Sequence, residues 1–421
     1  MAGRTAAHPL ELEDATMSEP LIVVGNGMAA ARFVEELAQR ALGRYAVAVI
    51  GEEPRLAYNR VLLSALLADE VSFSDIELKP ARWWRDRGVT LRYGVRATGV
   101  DASARKVTLA NGADLPFSKL VFATGSQPIR LDIPGMGLPG VLTFRDIDDV
   151  DTIAAMKAAR ARVVVIGGGL LGLEAAYGLA KARARVTLVH LMDRLMEQQL
   201  DARAALMLKR AVEGKGIAVR LEADTARIIG DSRVEAVELR DGSLIPADAV
   251  VVAVGIRANA ELARAAGLAV KRGIAVDDHL ETSVAGIHAI GECAEHRGLC
   301  YGLVEPAYEQ ARFLARRLAG ERAVYPGSVL ATNLKVSGVN VFSASDFLGT
   351  TSGAEEIVLS DPAIGVYKKL VIAQDRLLGA VLFGDTADGP WYLDLIRSGT
   401  SIARLRDDLV FGRALATRAA A

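Results

Sequence analysis

Gly25-Asn26-Gly27-Met28-Ala29-Ala30 and Gly167-Gly168-Gly169-Leu170-Leu171-Gly172 are the two clusters whose residue types and spacing suit binding of a phosphate-bearing ligand. Each follows a short apolar run, Leu21 to Val24 in one case and Arg162 to Ile166 in the other. Each opens a helix-like stretch, Ala29 to Arg40 or onward to Lys181. The first glycine of such a turn permits the tight bend, and the second lets a pyrophosphate approach the backbone. The third position needs only to be small where helix meets strand, so Ala30 is acceptable there. The helix start then offers N–H groups without intrahelical partners and the positive end of a dipole. For either cluster alone, the competing reading is a packing turn with no ligand.

The residues that end the next strand bear on which dinucleotide each turn takes. After the first turn the buried run Tyr45 to Ile50 leads to Glu52, whose carboxylate can accept from ribose hydroxyls; a surface acid is the alternative. After the second, Val186 to Val189 leads to His190, with Arg194 one turn on. NAD-selective sites usually carry a carboxylate at that place, and NADP-selective sites an arginine or a small residue. His190 and Arg194 match neither pattern. A histidine stacked near adenine is the favoured reading, and the expected preference is NADH with limited discrimination against NADPH.

The positioning elements follow from periodicity. Strand, glycine turn, helix and strand recur in the same order, which points to two nucleotide domains. Further apolar strands end in glycine: Leu120 to Thr124 before Gly125, Ala249 to Val254 before Gly255, and Ile287 to Ile290 before Gly291. Loops at the carboxyl ends of parallel strands are where open α/β sheets bind ligands. From about Tyr325 the pattern changes to shorter strands, Val329 to Val336, Val339 to Phe342, Tyr367 to Ala373 and Leu378 to Phe383. Helices are expected near Trp391 to Arg397 and Ser401 to Leu409. The fold class is α/β: two Rossmann-like dinucleotide-binding domains plus a C-terminal α+β domain.

Bulk properties remove several classes. Lys plus Arg total 50 against 51 Asp plus Glu, so no general attraction to nucleic acid or anionic membrane is expected. Two cysteines, Cys293 and Cys300, do not make a disulfide scaffold, a zinc ribbon or a four-cysteine cluster, and no metal site is expected. The longest apolar stretch, Arg162 to Lys181, is interrupted by glycines and Glu174, unlike a bilayer span of about 20 apolar residues. The first residues lack the basic-then-apolar order of a signal peptide. They read as a disordered tail, with translation starting at Met1 or Met17, and the expected location is cytoplasmic.

The two turns, with Ala123-Thr124-Gly125-Ser126 and Gly286-Ile287-His288-Ala289-Ile290-Gly291-Glu292-Cys293, resemble the pyridine nucleotide-disulfide oxidoreductases. This two-dinucleotide flavoprotein superfamily includes glutathione reductase and the ferredoxin and rubredoxin reductases. The resemblance implies that the segment with Ala123, Thr124 and Gly125 closes over FAD, and that Gly291 and Glu292 serve the ribityl hydroxyls. Gly255-Ile256-Arg257-Ala258-Asn259 is similar to the family's loop near the nicotinamide, with Ala258 in place of its usual proline. Implied boundaries are a tail over 1–18, an FAD domain over 19–145 and 271–324, an NAD(P)H domain over 146–270, and a C-terminal domain over 325–421.

Further segments resemble the flavin portion of assimilatory NAD(P)H-nitrite reductase large subunits. They are Glu52-Glu53-Pro54-Arg55-Leu56-Ala57-Tyr58-Asn59-Arg60-Val61, Gly302-Leu303-Val304-Glu305-Pro306, Thr332-Asn333-Leu334-Lys335 and the run from Leu377 to Asp388. Those subunits continue into iron–sulfur and sirohaem domains, whereas this chain ends at Ala421. The expectation is a detached electron-transfer subunit that binds FAD and NADH and feeds a separate nitrate or nitrite reductase. An iron–sulfur or haem protein is the alternative acceptor, and the assembly is expected to be a monomer or homodimer. A reading of another class is an NADH-sensing flavoprotein that regulates by association.

The resemblance also assigns individual residues. Arg60 falls beside the FAD pyrophosphate, and Glu53 within the same cofactor-binding segment. Pro306 and Ala307 begin a helix whose start faces the flavin's pyrimidine edge, and Lys335 reaches that edge from the C-terminal domain. Glu174, in the first turn of the nicotinamide helix, orients nicotinamide; a dipole partner is the simpler reading. In related ferredoxin reductases this glutamate pairs with a lysine, and the matching position here is Ala65. Residues 29 to 70 contain no cysteine, so neither a redox disulfide nor a peroxidatic thiol is expected.

Overall fold

The computed structural model describes residues 18–41, 43–154, 160–336 and 338–419. The tail expected over 1–18 lies outside them except for Ser18. The first unit is a parallel sheet in the order Ile287–Ala289, Lys119–Phe122, Glu19–Val24, Tyr45–Gly51, Thr90–Tyr93. Leu21 to Val24 at its centre is covered on both faces, which is why it is a continuous apolar run and does not alternate. The helix Met28–Arg40 buries Ala30, Phe33, Val34 and Leu37, one apolar stripe at helical spacing. It shares a core with Ala311, Leu314, Ala315 and Leu318 of the helix Val304–Leu318.

The second unit repeats the first. Its parallel sheet runs Ala218–Arg220, Arg185–Val189, Arg162–Ile166, Ala249–Val252, Val141–Leu142, with the helix Leu170–Lys181 after the glycine turn. Each unit also carries a three-stranded antiparallel sheet. In the first this comprises Ala97–Asp101, Lys106–Leu109 and Asp114–Pro116; in the second, Thr225–Ile229, Ala236–Leu239 and Leu244–Pro246. A two-stranded ribbon, Ser126–Pro128 against Ile256–Ala258, connects the units.

The C-terminal domain is an antiparallel sheet in the order Ala331–Val336, Val339–Ser345, Arg376–Phe383, Val366–Ala373, Glu355–Asp361. The last of these was not expected from the sequence: its apolar run, Ile357-Val358-Leu359, is only three residues long and is flanked by Glu355-Glu356 and Ser360-Asp361 on an exposed edge. The helix expected near Trp391 to Arg397 spans Gly389–Ser398 and stops at Gly399 in the left-handed region. The helix expected over Ser401 to Leu409 does not form. That stretch is turns followed by a 3-10 turn at Leu409–Phe411, and a helix comes later, at Arg413–Ala419. Ile402 N–H donates to the Asp375 carbonyl at 2.8 Å and Arg406 pairs with Glu355 at 2.6 Å, so the segment is drawn onto the sheet. The domain is tied to the second unit where the Tyr367 hydroxyl donates to Asp201 at 2.6 Å. The other Asp201 oxygen caps the helix Ala202–Glu213.

Candidate functional site

At the first turn Gly25 has φ +115°, and a Cβ there would overlap the Ala123 carbonyl. Turn and Ala123-Thr124-Gly125 segment are thus in direct contact. Asn26 fills the space beside the strand end: a Cβ on Gly51 would lie 2.6 Å from the Asn26 Cβ, and Asn26 Nδ2 donates to the Arg55 carbonyl at 3.3 Å. Gly27 caps the helix without a side-chain hydrogen bond, so the N–H groups of Met28, Ala29 and Ala30 lack intrahelical partners. A Cβ added at Gly27 would meet nothing within 4 Å, which leaves the room a pyrophosphate needs. Glu52 is exposed beyond the strand end, with Arg96 at 3.8 Å.

Several predicted residues converge on this turn. A Cβ on Gly291 would lie 3.0 Å from that of Ala29 and 3.9 Å from that of Ala307, so turn, Gly291-Glu292 segment and the start of the helix Val304–Leu318 meet at one place. Pro306 lies in that helix's first turn. Gly291 N–H donates to the buried Gln310 side chain at 2.7 Å, fixing the backbone that presents Glu292. Glu292 accepts from the Ser126 hydroxyl at 2.7 Å and is paired with Arg145. Glu53 accepts from the Tyr58 hydroxyl at 2.7 Å and pairs with Arg60, whose guanidinium also donates to the Arg145 carbonyl at 3.0 Å. Glu53 therefore acts on Arg60, and a chain of polar contacts runs from Tyr58 through Arg60 and Arg145 to Glu292. Arg145 and Gln310 carry no motif signal, and Ser126, at the end of the Ala123–Ser126 segment, was assigned no role; their place beside Glu292 marks them.

At the second turn Gly167 repeats Gly25: φ is +121°, and a Cβ would overlap the Ala253 carbonyl. Gly169 caps the helix without a side chain, a Cβ there meets nothing within 4 Å, and Leu170 and Leu171 begin the helix. Gly172 packs against the Gly167 carbonyl. His190 is buried; its Nδ1 accepts from Gly168 N–H at 3.0 Å and its Nε2 lies 3.0 Å from Glu197. Both ring nitrogens are thus engaged inside the protein. Arg194 is held by Asp193 at 3.1 Å.

The two sites are linked. The Thr124 hydroxyl donates to the Asn259 carbonyl at 2.6 Å, and Asn259 N–H to the Gly125 carbonyl at 2.9 Å. Ile129 N–H donates to the Gly255 carbonyl at 3.0 Å, and Ile256 lies against Gly302. Glu174, expected in the first turn, lies just past it, because the helix Leu170–Lys181 starts at Leu170 and has no acid in its opening turn; the helix packs through Gly178 on Leu67 of the short helix Leu63–Leu67. Burial pushes the Glu174 carboxyl up to about 7. Lys335 is on the strand Ala331–Val336 opposite Asn340, and its side chain lies outside the described residues. Cys293 and Cys300 are unpaired, and burial pushes the Cys293 thiol up. Among the described residues no group of three or more His, Cys, Asp or Glu is placed to hold a metal ion, and no helix is long and apolar enough to cross a membrane.

Two uncapped glycine turns on parallel sheets, each with space over its second glycine, fit two dinucleotides and define an oxidoreductase of the two-dinucleotide class. The chain belongs to the pyridine nucleotide-disulphide oxidoreductase family, which residues 19–311 match; residues 331–400 match the rubredoxin NAD+ reductase C-terminal domain. The family uses FAD and NAD(P)H. The chain is 44% identical over 384 residues to a nitrite reductase [NAD(P)H] of Bacillus subtilis (strain 168), covering 91% of this chain and 48% of that protein. It is 39% identical over 391 residues to the assimilatory nitrate reductase electron transfer subunit of the same organism, covering 93% and 51%. The chain spans about half the length of these curated relatives. The solved ferredoxin reductase for the CYP199A2 system from Rhodopseudomonas palustris superimposes with a TM-score of 0.85 at 27% identity, covering 96% of this chain and all of that one.

Proposed function

We propose that the chain takes a hydride from NADH onto bound FAD and passes the electrons to a separate redox protein of nitrate or nitrite assimilation. The observation that carries this reading is the direct bonding of the Thr124-Gly125 segment to the Gly255–Asn259 loop, which joins the two turns. Bound FAD supplies a hydride acceptor able to release electrons singly. Residues 19–145 and 271–324 form the FAD domain, 146–270 the nicotinamide domain and 325–421 the third, in a cytoplasmic monomer or homodimer.

We infer the roles of the side chains from the family resemblance, read together with the contacts they make. Gly27, Met28, Ala29 and Ala30 present backbone N–H groups to the FAD pyrophosphate, and Glu52 accepts from the ribose. Arg60, steadied by Glu53, supplies positive charge beside the phosphates. Glu292 turns from Arg145 and Ser126 to the ribityl hydroxyls, and the helix start at Pro306 and Ala307 favours negative charge on the pyrimidine edge. Ala123 and Gly125 close over the ring, and the resemblance assigns Lys335 to its pyrimidine edge. Gly169, Leu170 and Leu171 hold the NADH pyrophosphate. Gly255 and Ile256 border the nicotinamide, and Glu174, protonated below about pH 7, donates to its carboxamide.

A second reading is supported by the match of residues 331–400 to a rubredoxin reductase domain and by the ferredoxin reductase structure: the acceptor is a small iron–sulfur protein. Anaerobic stopped-flow mixing of the FAD-loaded chain with NADH, then with a panel of acceptors, tests both. Rapid bleaching of the flavin followed by acceptor-dependent reoxidation is expected. Bleaching that no acceptor accelerates would remove the electron-transfer role, and the best acceptor decides between the two readings.

A further inference from the structure

We infer that Glu197, held in place by His190, accepts the adenosine ribose hydroxyls at the second turn and sets a preference for NADH over NADPH. This rests on the proposed reading of that turn as the nicotinamide dinucleotide site. The two units are in the same register: Gly25 N–H donates to the Ile50 carbonyl and Gly167 N–H to the Val189 carbonyl, each at 2.8 Å. His190 therefore corresponds to Gly51, and Leu191 to Glu52. Neither strand-end position of the second unit carries the acid that a ribose diol calls for.

The ring of His190 cannot take that role directly. Its Nδ1 accepts from Gly168 N–H, so the ring proton is on Nε2 and is donated to Glu197 Oε2 at 3.0 Å. Gly168 is pinned from its other end as well, where its carbonyl accepts from Met196 N–H at 3.0 Å. Leu195 and Met196, fully buried, anchor the segment that brings Glu197 back to the turn. A Cβ on Gly168 would lie 2.6 Å from the His190 Cγ, so glycine is required for the ring to fit.

Glu197 ends with one oxygen on His190 and the other without a hydrogen bond among the described residues, on a side chain that is 21% exposed. A ribose 2′,3′-diol can donate to that oxygen. A 2′-phosphate would place a dianion against a half-buried carboxylate, where like charges repel strongly. Arg194 does not offset the repulsion, because Asp193 accepts from its guanidinium through both carboxylate oxygens at 3.1 Å.

The test is calorimetric titration of the FAD-loaded full chain with ADP-ribose and with its 2′-phosphate, ligands that carry no nicotinamide. ADP-ribose is expected to bind more tightly, and Glu197→Gln, which keeps an acceptor for His190, should narrow the ratio by about tenfold or more. Leu191→Glu added to Glu197→Gln puts an acid at the position equivalent to Glu52 and should restore the ratio, guarding against a variant that merely disturbs the turn. An unchanged ratio in Glu197→Gln, or a loss of preference in Arg194→Ala alone, would overturn the inference while flavin reduction by NADH still stood. Failure of both ligands to bind the parent protein would remove the nicotinamide reading of the turn and the inference with it.

Discussion

The two glycine turns share a topology and a phosphate-facing geometry but place their bulk oppositely. In the first, the side chain comes from the turn, Asn26, and the strand end is bare at Gly51. In the second, the turn is bare at Gly168 and the side chain comes from the strand end, His190. The space to be filled between turn and strand is the same, and each unit fills it once. The consequence lies on the ribose side. The first unit is free to carry Glu52 just past its strand, whereas the second spends that corner on a histidine and recruits an acid from Glu197.

The largest expected effect tests what the turns share. Gly25→Ala and Gly167→Ala each force a side chain into a left-handed backbone and onto a carbonyl, at about 2–5 kcal/mol. Gly25→Ala should be purified largely without FAD. Gly167→Ala should keep its flavin spectrum but reduce it with NADH about a hundredfold or more slowly. Equal flavin loss in both would erase the division of labour between the units.

Glu174 separates the second helix from the first, where Arg32 holds the equivalent position; neither helix has an acid in its opening turn. Its carboxyl is held near 7 against an ordinary 4.5, so the folded state keeps a proton that the unfolded chain has lost. That contribution to stability is full below about pH 4.5, declines as pH rises toward 7 and is gone above it. Glu174→Gln should therefore gain on the parent by about 3 kcal/mol between pH 4.5 and pH 8 in denaturant unfolding of the FAD-loaded chain. Parallel pH profiles would show that the carboxyl is solvated. The variant's rate of flavin reduction should also lose its break near pH 7.

Smaller effects distinguish the first turn's supports. Arg145→Ala leaves Glu292 without its ion-pair partner while keeping the backbone carbonyl that Arg60 donates to, and should weaken FAD retention by about tenfold, measured by flavin release in dilution. Asn26→Ala loses only a 3.3 Å hydrogen bond and some packing, about 1 kcal/mol in thermal unfolding. His190→Ala should cost more, because it strands Gly168 N–H and Glu197 together.

Both Rossmann-like units were legible because glycine spacing, apolar strands and helical periodicity agree in each. Residues supplied by backbone, such as Gly25, Gly167 and Gly291, were legible for the same reason. Arg145 and Gln310 were not, and Ser126 was visible only as the last residue of a motif: each matters through a contact made by distant parts of the chain. His190 was legible as a departure, but its orientation depends on a glycine at 168 and an acid at 197, which no local pattern connects. The edge strand Glu355–Asp361 escaped because its apolar run, Ile357 to Leu359, is short and set between charged and polar residues. Ser401 to Leu409 reads as a helix until the contacts of Ile402 and Arg406 are known.

Double-mixing stopped-flow tests the central claim most directly. The FAD-loaded chain is reduced anaerobically with one equivalent of NADH, then mixed with an iron–sulfur or haem acceptor, or with oxygenated buffer. Reduction complete within the first mixing interval, and reoxidation much faster with a protein acceptor than with oxygen, is the expected result. A flavin that NADH leaves oxidised, or that oxygen reoxidises faster than every protein acceptor, would contradict it.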